Sequence, residues 1–130
     1  MESPECQCQV YDLSDINIRH CAEKIRNGEV VVFPTETVYG IGASSFSETA
    51  IQQIYQVKKR PSNNPLIMHV LNWKGAKLYT DINEIEDSIV SELTDKFWPG
   101  PLTILVKKSK HVPDSVSAKT DWESLRSPSN

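Results

Sequence analysis

Phe33-Pro34-Thr35-Glu36-Thr37-Val38-Tyr39-Gly40-Ile41-Gly42 follows directly on the apolar run Val30-Val31-Val32. A β-branched run halted by a proline reads as a buried strand entering a loop. Pro34 fixes its own φ and lacks a backbone donor. Gly40 and Gly42 let the backbone turn sharply or approach a ligand closely. Between the proline and the glycines lie two hydroxyls, a carboxylate and a phenol. Polar, glycine-punctuated loops at the ends of buried strands are where α/β folds place ligands. The same residues also suit an ordinary turn, and the stretch alone does not choose.

A second cluster runs from Tyr55 to Val70. Lys58, Lys59 and Arg60 end a helix, the Pro-Ser-Asn-Asn-Pro loop of 61–65 follows, and a strand over 66–70 carries His69. Cations are common in a last helical turn for electrostatic reasons alone. A lone histidine on a strand is more often packed than liganded.

The rest of the chain alternates helices and strands, which argues for an α/β domain. Residues 1–13 read as a loose leader. Ser14 caps a helix over 15–27 with Ile18, Cys21, Ala22 and Ile25 on one face and Gly28 past its end. Ser47 caps a helix over 48–59 whose buried stripe is Ala50, Ile51, Ile54 and Tyr55, and Pro61 ends it. A helical turn is expected near 73–79. A helix over 85–97 carries Ile85, Ile89, Val90, Leu93 and Phe97, and a strand spans 102–106. Residues 119–130 are polar and close without a further element.

The chain has 130 residues and a net charge of −3, so it is one domain with no global attraction to polyanions. Its basic knots are local, at Lys58–Arg60 and at Lys107, Lys108 and Lys110, and suit an anionic small molecule better than a long polyanion. Three cysteines, Cys6, Cys8 and Cys21, form no even framework, which favours a reducing, cytoplasmic compartment. No apolar run approaches the roughly 20 residues that span a bilayer, and the N-terminus lacks the pattern of a secretory signal.

Four ordered motifs together resemble the YrdC-like threonylcarbamoyl-AMP synthase family. They are Pro34 to Gly40, then Lys58-Lys59-Arg60-Pro61 through Asn64-Pro65-Leu66 to His69-Val70, then Phe97-Trp98-Pro99-Gly100-Pro101-Leu102-Thr103, and last Val116-Ser117-Ala118 through Leu125-Arg126-Ser127-Pro128-Ser129. The resemblance covers Ile16 to the last residue. It implies a twisted mixed sheet flanked by helices over 14–130, incomplete on its C-terminal side, because family domains are longer and continue with a strand, helices and a Ser-x-Asn segment. A chain of this length is then expected to be a weak catalyst by itself. Lys119 stands where the family often has glycine, which leaves the turn there in question.

The resemblance implies a nucleotidyltransferase that condenses L-threonine, bicarbonate and ATP into threonylcarbamoyl-AMP and pyrophosphate, for modification of an adenosine in tRNA. Lys58 and Arg60 are then the catalytic cations at the phosphates, with Asn64 and Ser117 as further nucleotide contacts. Thr37, His69, Arg126 and Thr35 face L-threonine. Glu36 reads as a loop-capping carboxylate ahead of a base or metal ligand. Magnesium would arrive with the ATP phosphates and not in a protein cage. Proteins of tRNA modification are the implied partners. The alternative is a catalytically impaired fragment that binds double-stranded RNA, tRNA or a partner protein.

Overall fold

The computed structural model describes residues 8–130. Residues 1–7 of the expected leader lie outside that range, Cys6 among them, and 8–13 form no helix or strand. Ten helices and strands follow, with one 3-10 turn: α1 (Asp15–Arg26), β1 (Val31–Phe33), β2 (Gly40–Gly42), α2 (Glu48–Lys58), β3 (Ile67–His69), α3 (Trp73–Ala76) running into the 3-10 turn Lys77–Tyr79, α4 (Glu84–Phe97), β4 (Thr103–Lys107), α5 (Asp114–Ser117) and β5 (Trp122–Arg126). No helix among the described residues is long and apolar enough to cross a membrane.

The caps explain the helix starts. Ser14, Ser47 and Asn83 each accept a backbone N–H from the first turn with the side chain, and Glu86 completes a capping box on α4. In α2, Ala50, Ile51, Ile54 and Tyr55 are all buried, as the period of 3.6 requires. This helix stops at Lys59, which is left-handed at φ 50°, two residues before Pro61.

β1 and β2 form an antiparallel hairpin, and β3, β5 and β4 form a mixed sheet in that order. β5 is parallel to β3 and antiparallel to β4. The core face of this sheet carries Met68, Leu125, Ile104 and Val106, which pack with Ile51 and Tyr55 of α2, Trp73 and Ala76 of α3, Val90 of α4 and Val116 of α5. The helices thus cover one face. The other face presents Ile67, Leu105 and Trp122 to the surface.

Two expectations are corrected. The polar stretch 119–130 contains the central strand of the sheet. Its alternation places Glu123 and Leu125 inward, and the buried carboxylate disguises the pattern. Gly40 and Gly42 do not make a turn but a strand. The Phe33 ring lies across them, and a Cβ on Gly42 would meet that ring at 2.6 Å, so the glycine makes room for a side chain of its own hairpin. Burial in α4 is narrower than its periodicity suggests: Val90 is buried, but Ile85, Ile89 and Phe97 are more than half exposed.

The turn into β5 forms despite its sequence. Ala118 and Lys119 both adopt left-handed backbones, at φ 51° and 61°. Such a backbone costs an L-residue about 1–2 kcal/mol, whereas glycine loses about 0.5–1 kcal/mol through extra chain entropy. Lys119→Gly is therefore expected to raise stability by about 0.5–1 kcal/mol in urea unfolding. A lower stability would show that the turn is not under strain.

Glu123 is 1 % exposed, and among the described residues neither carboxylate oxygen has a hydrogen-bond partner. Burial pushes its pKa up to about 7; the nearby Met68 and Ser124 backbone groups, short of hydrogen-bond geometry, and the Lys108 charge oppose the rise. The folded state therefore holds this proton more tightly than the unfolded chain. Stability from it is complete below about pH 4.5 and is lost as pH rises toward 7. At ~1.4 kcal/mol per pH unit the loss is about 3 kcal/mol. Unfolding of the wild type from pH 4.5 to 7.5 should show this decline, and Glu123→Gln should flatten it; parallel profiles would exclude Glu123 as the source.

Candidate functional site

The loop 34–39 joins β1 to β2 and is folded by its own hydroxyl. Thr35 Oγ1 donates to the Val38 carbonyl at 2.6 Å and accepts from the amides of Thr37 and Val38 at 3.3 and 3.2 Å. The Thr37 hydroxyl lies 3.1 Å from that of Thr35. The threonine pair thus shapes the loop and leaves Val38 and Tyr39 exposed.

Arg126 ties this loop to the sheet. One nitrogen, Nη2, pairs with Glu36 Oε2 at 2.9 Å and donates to Thr37 Oγ1 at 3.3 Å, while Nε donates to the Gly100 carbonyl at 3.3 Å. A Cβ on Gly100 would meet the Phe97 carbonyl oxygen at 2.6 Å, so this turn has no room for another residue. Burial alone would raise the Glu36 pKa, but the hydrogen bond from Arg126 and backbone N–H groups hold the carboxyl below its ordinary value.

Register brings the other groups alongside. His69 pairs with Arg126 across the β3–β5 ladder, and Thr103 pairs with Arg126 across β4–β5. All three point away from the core, since their neighbours Met68, Leu125 and Ile104 point into it. His69 packs edge-on to Phe33, with ring centroids 5.8 Å apart. Partial desolvation first, and the Arg126 charge second, hold its pKa below the ordinary histidine value, with Glu36 opposing. At neutral pH His69 is an uncharged donor and acceptor. Thr103 was not singled out in the sequence, although the outward alternation of β4 marks it. The sequence marks Glu36 only as a loop cap; its bond to Arg126 carries no local signal.

Arg60 and Asn64 lie at the other end of β3. Arg60 Nε donates to the Asn64 carbonyl at 3.2 Å, and Nη2 donates to Asn64 Oδ1 at 2.9 Å and to the Pro65 carbonyl at 2.5 Å. The guanidinium thus braces the 61–65 loop. Pro65 and His69 are separated by about 13 Å of extended chain, at ~3.3 Å per residue. Lys58 is exposed in the last turn of α2. Ser117 lies on α5 beside this loop, since the Leu66 N–H donates to the Val116 carbonyl at 2.9 Å and the Tyr55 hydroxyl bonds the carbonyls of Asn64 and Ser115 at 3.0 and 3.1 Å; its side chain is fully buried, and its hydroxyl accepts from Lys108 Nζ at 2.8 Å. Among the described residues no group of three or more His, Cys, Asp or Glu is arranged to hold a metal ion.

The domain thus carries a threonine loop, closed by glycine, that an arginine binds to a mixed sheet. Residues 23–130 match the Sua5/YciO/YrdC family model, described as telomere recombination, and the chain belongs to that family. It is 38 % identical over 118 residues to a threonylcarbamoyl-AMP synthase of Pyrococcus abyssi, covering 91 % of this chain and 34 % of the relative. It is 34 % identical to a putative threonylcarbamoyl-AMP synthase of Methanocaldococcus jannaschii, covering 92 % and 57 %. The chain therefore spans between a third and somewhat over half the length of these relatives. The crystal structure of P. abyssi Sua5 complexed with L-threonine superposes with a TM-score of 0.82 at 37 % identity, over 92 % of this chain and 34 % of that one. E. coli YciO shares the fold, with a TM-score of 0.75 at 22 % identity.

The two cations of the 58–60 segment differ in what they hold. Arg60→Ala removes three hydrogen bonds from a charged donor and is expected to cost about 1–2 kcal/mol of stability, whereas Lys58→Ala, with no ion pair among the described residues, should stay within ~0.5 kcal/mol of wild type. Urea unfolding of both variants decides; equal losses would deny Arg60 its bracing role.

Proposed function

We propose that the chain carries L-threonine-facing and nucleotide-facing residues of a threonylcarbamoyl-AMP synthase, a cytoplasmic enzyme of tRNA threonylcarbamoyladenosine formation. The observation that carries this reading is the convergence of Thr37, Arg126 and His69 at one end of the sheet's open face. Support also comes from the names of the relatives and from the likeness to a protein whose structure contains L-threonine.

In this reading the amine of threonine condenses with bicarbonate, losing water, to give a carbamate. A carbamate oxygen attacks the α-phosphorus of ATP, the bond to the β-phosphate bridge breaks, and pyrophosphate leaves. Little covalent chemistry falls to the protein, so positioning and charge compensation supply the rate. Arg126 offers a planar fork to the threonine carboxylate. Thr37 and the uncharged His69 can bond the substrate's hydroxyl or amine without adding charge. Lys58 and Arg60, with Asn64 beside them, face the phosphates from the far end of β3. Magnesium enters only as the counterion that ATP brings with it.

Titration calorimetry tests the binding half. L-threonine should bind the wild type and bind Thr37→Val and His69→Ala about five- to tenfold more weakly, the loss of roughly one hydrogen bond each, with melting temperatures little changed. The chemical half is pyrophosphate release from ATP that requires both L-threonine and bicarbonate. Unaltered threonine affinity in both variants, with a large fall in the melting temperature of His69→Ala, would assign these residues to packing and remove the reading.

A further inference from the structure

The Glu36–Arg126 pair has a chemistry that the proposed reaction does not use. Both side chains are largely enclosed, at 21 % and 12 % exposure. Arg126 is the cation of its row: His69 beside it is held toward its neutral form, and Lys107, four residue pairs along the β4–β5 ladder, sits by Asp81 at 3.6 Å. The Glu36 carboxylate is the same functional group as the α-carboxylate of an amino acid. It already occupies the Nη2 side of the fork, at charge-assisted distance. A ligand carboxylate that approached Arg126 would meet a guanidinium whose charge is compensated.

Glu36 is also not the loop's only hold on Arg126. Thr37 bonds the same nitrogen, and Thr35 locks both residues into one turn. Release of both contacts would detach the loop 34–39 from β5 as a unit. We propose that Glu36 is a built-in surrogate carboxylate: it latches the loop onto Arg126, and an amino-acid ligand binds by exchanging its own carboxylate for that of Glu36. The exchange rests on the reading that the threonine carboxylate faces Arg126. Glu36 then sets specificity, because only a ligand with a carboxylate can take the place it leaves.

An internal competitor lowers apparent affinity by the fraction of time it holds the site, so a pair formed about 90 % of the time weakens binding about tenfold. Glu36→Gln keeps the size of the side chain and removes the charge. It is expected to bind L-threonine about three- to tenfold more tightly than the wild type by calorimetry, while L-threoninol, which lacks the carboxylate, shows no gain. Amide hydrogen exchange at Thr37, Val38 and Tyr39 should be faster in the variant. Weaker binding of L-threonine and of L-threoninol in Glu36→Gln would mean that Glu36 contacts the ligand amine, and would overturn the exchange. Unchanged amide exchange would overturn the latch. Should L-threonine bind neither protein, the proposed function fails, and the latch is judged on amide exchange alone: faster exchange in Glu36→Gln upholds it and equal exchange overturns it.

Discussion

Both edges of β5 are hydrogen-bonded, to β3 in parallel and to β4 antiparallel, and a slip of one residue in either ladder would exchange the two faces of the strand. Leu125, fully buried, would then meet solvent, and Arg126 would enter the core without a partner. The apolar alternation of β3, β4 and β5 thus does more than build a core. It holds His69, Arg126 and Thr103 in one row on the opposite face. The side chains of the site are placed by the residues between them.

The same strand carries the chief tensions of the fold. It is entered through two left-handed residues that are not glycine, and its inward Glu123 has no partner for its carboxylate among the described residues. Natural chains retain such local costs where the surrounding structure outweighs them. Here the opposing force is the packing of Leu125 and Val116 among residues from four helices and both neighbouring strands. A Lys108 bridge to Asp114 and Ser117, at 2.7 and 2.8 Å, fastens the turn from the other side.

Much of this architecture was legible from period and punctuation. The stripe of α2 and the two serine caps are local signals, and the structure follows them. β5 was not legible because Trp-Glu-Ser-Leu-Arg offers one aliphatic residue and puts a carboxylate at an inward position. β2 was not legible because Gly-Ile-Gly reads as flexibility; its reason, the ring of Phe33, is seven and nine residues back in the chain. For the site, Thr37, His69 and Arg126 could be named through family resemblance, and no pattern within either segment reveals that Glu36 and Thr37 bond Arg126 across 89 residues or more. Contacts of that range are set by the sheet and not by composition.

That range has a consequence for synthesis of the chain. The hairpin β1–β2 is local, but the arginine that anchors its loop follows Thr37 by 89 residues. At elongation rates of roughly 5–20 residues per second, the loop is made about 4–18 s before its anchor. Closing so wide a loop costs about 1.3 kcal/mol more chain entropy than closing one of ~20 residues, the spacing typical of the β4–β5 ladder. The segment that most resembles a binding loop is therefore born without its fastening and waits on the ribosome for β5 to arrive.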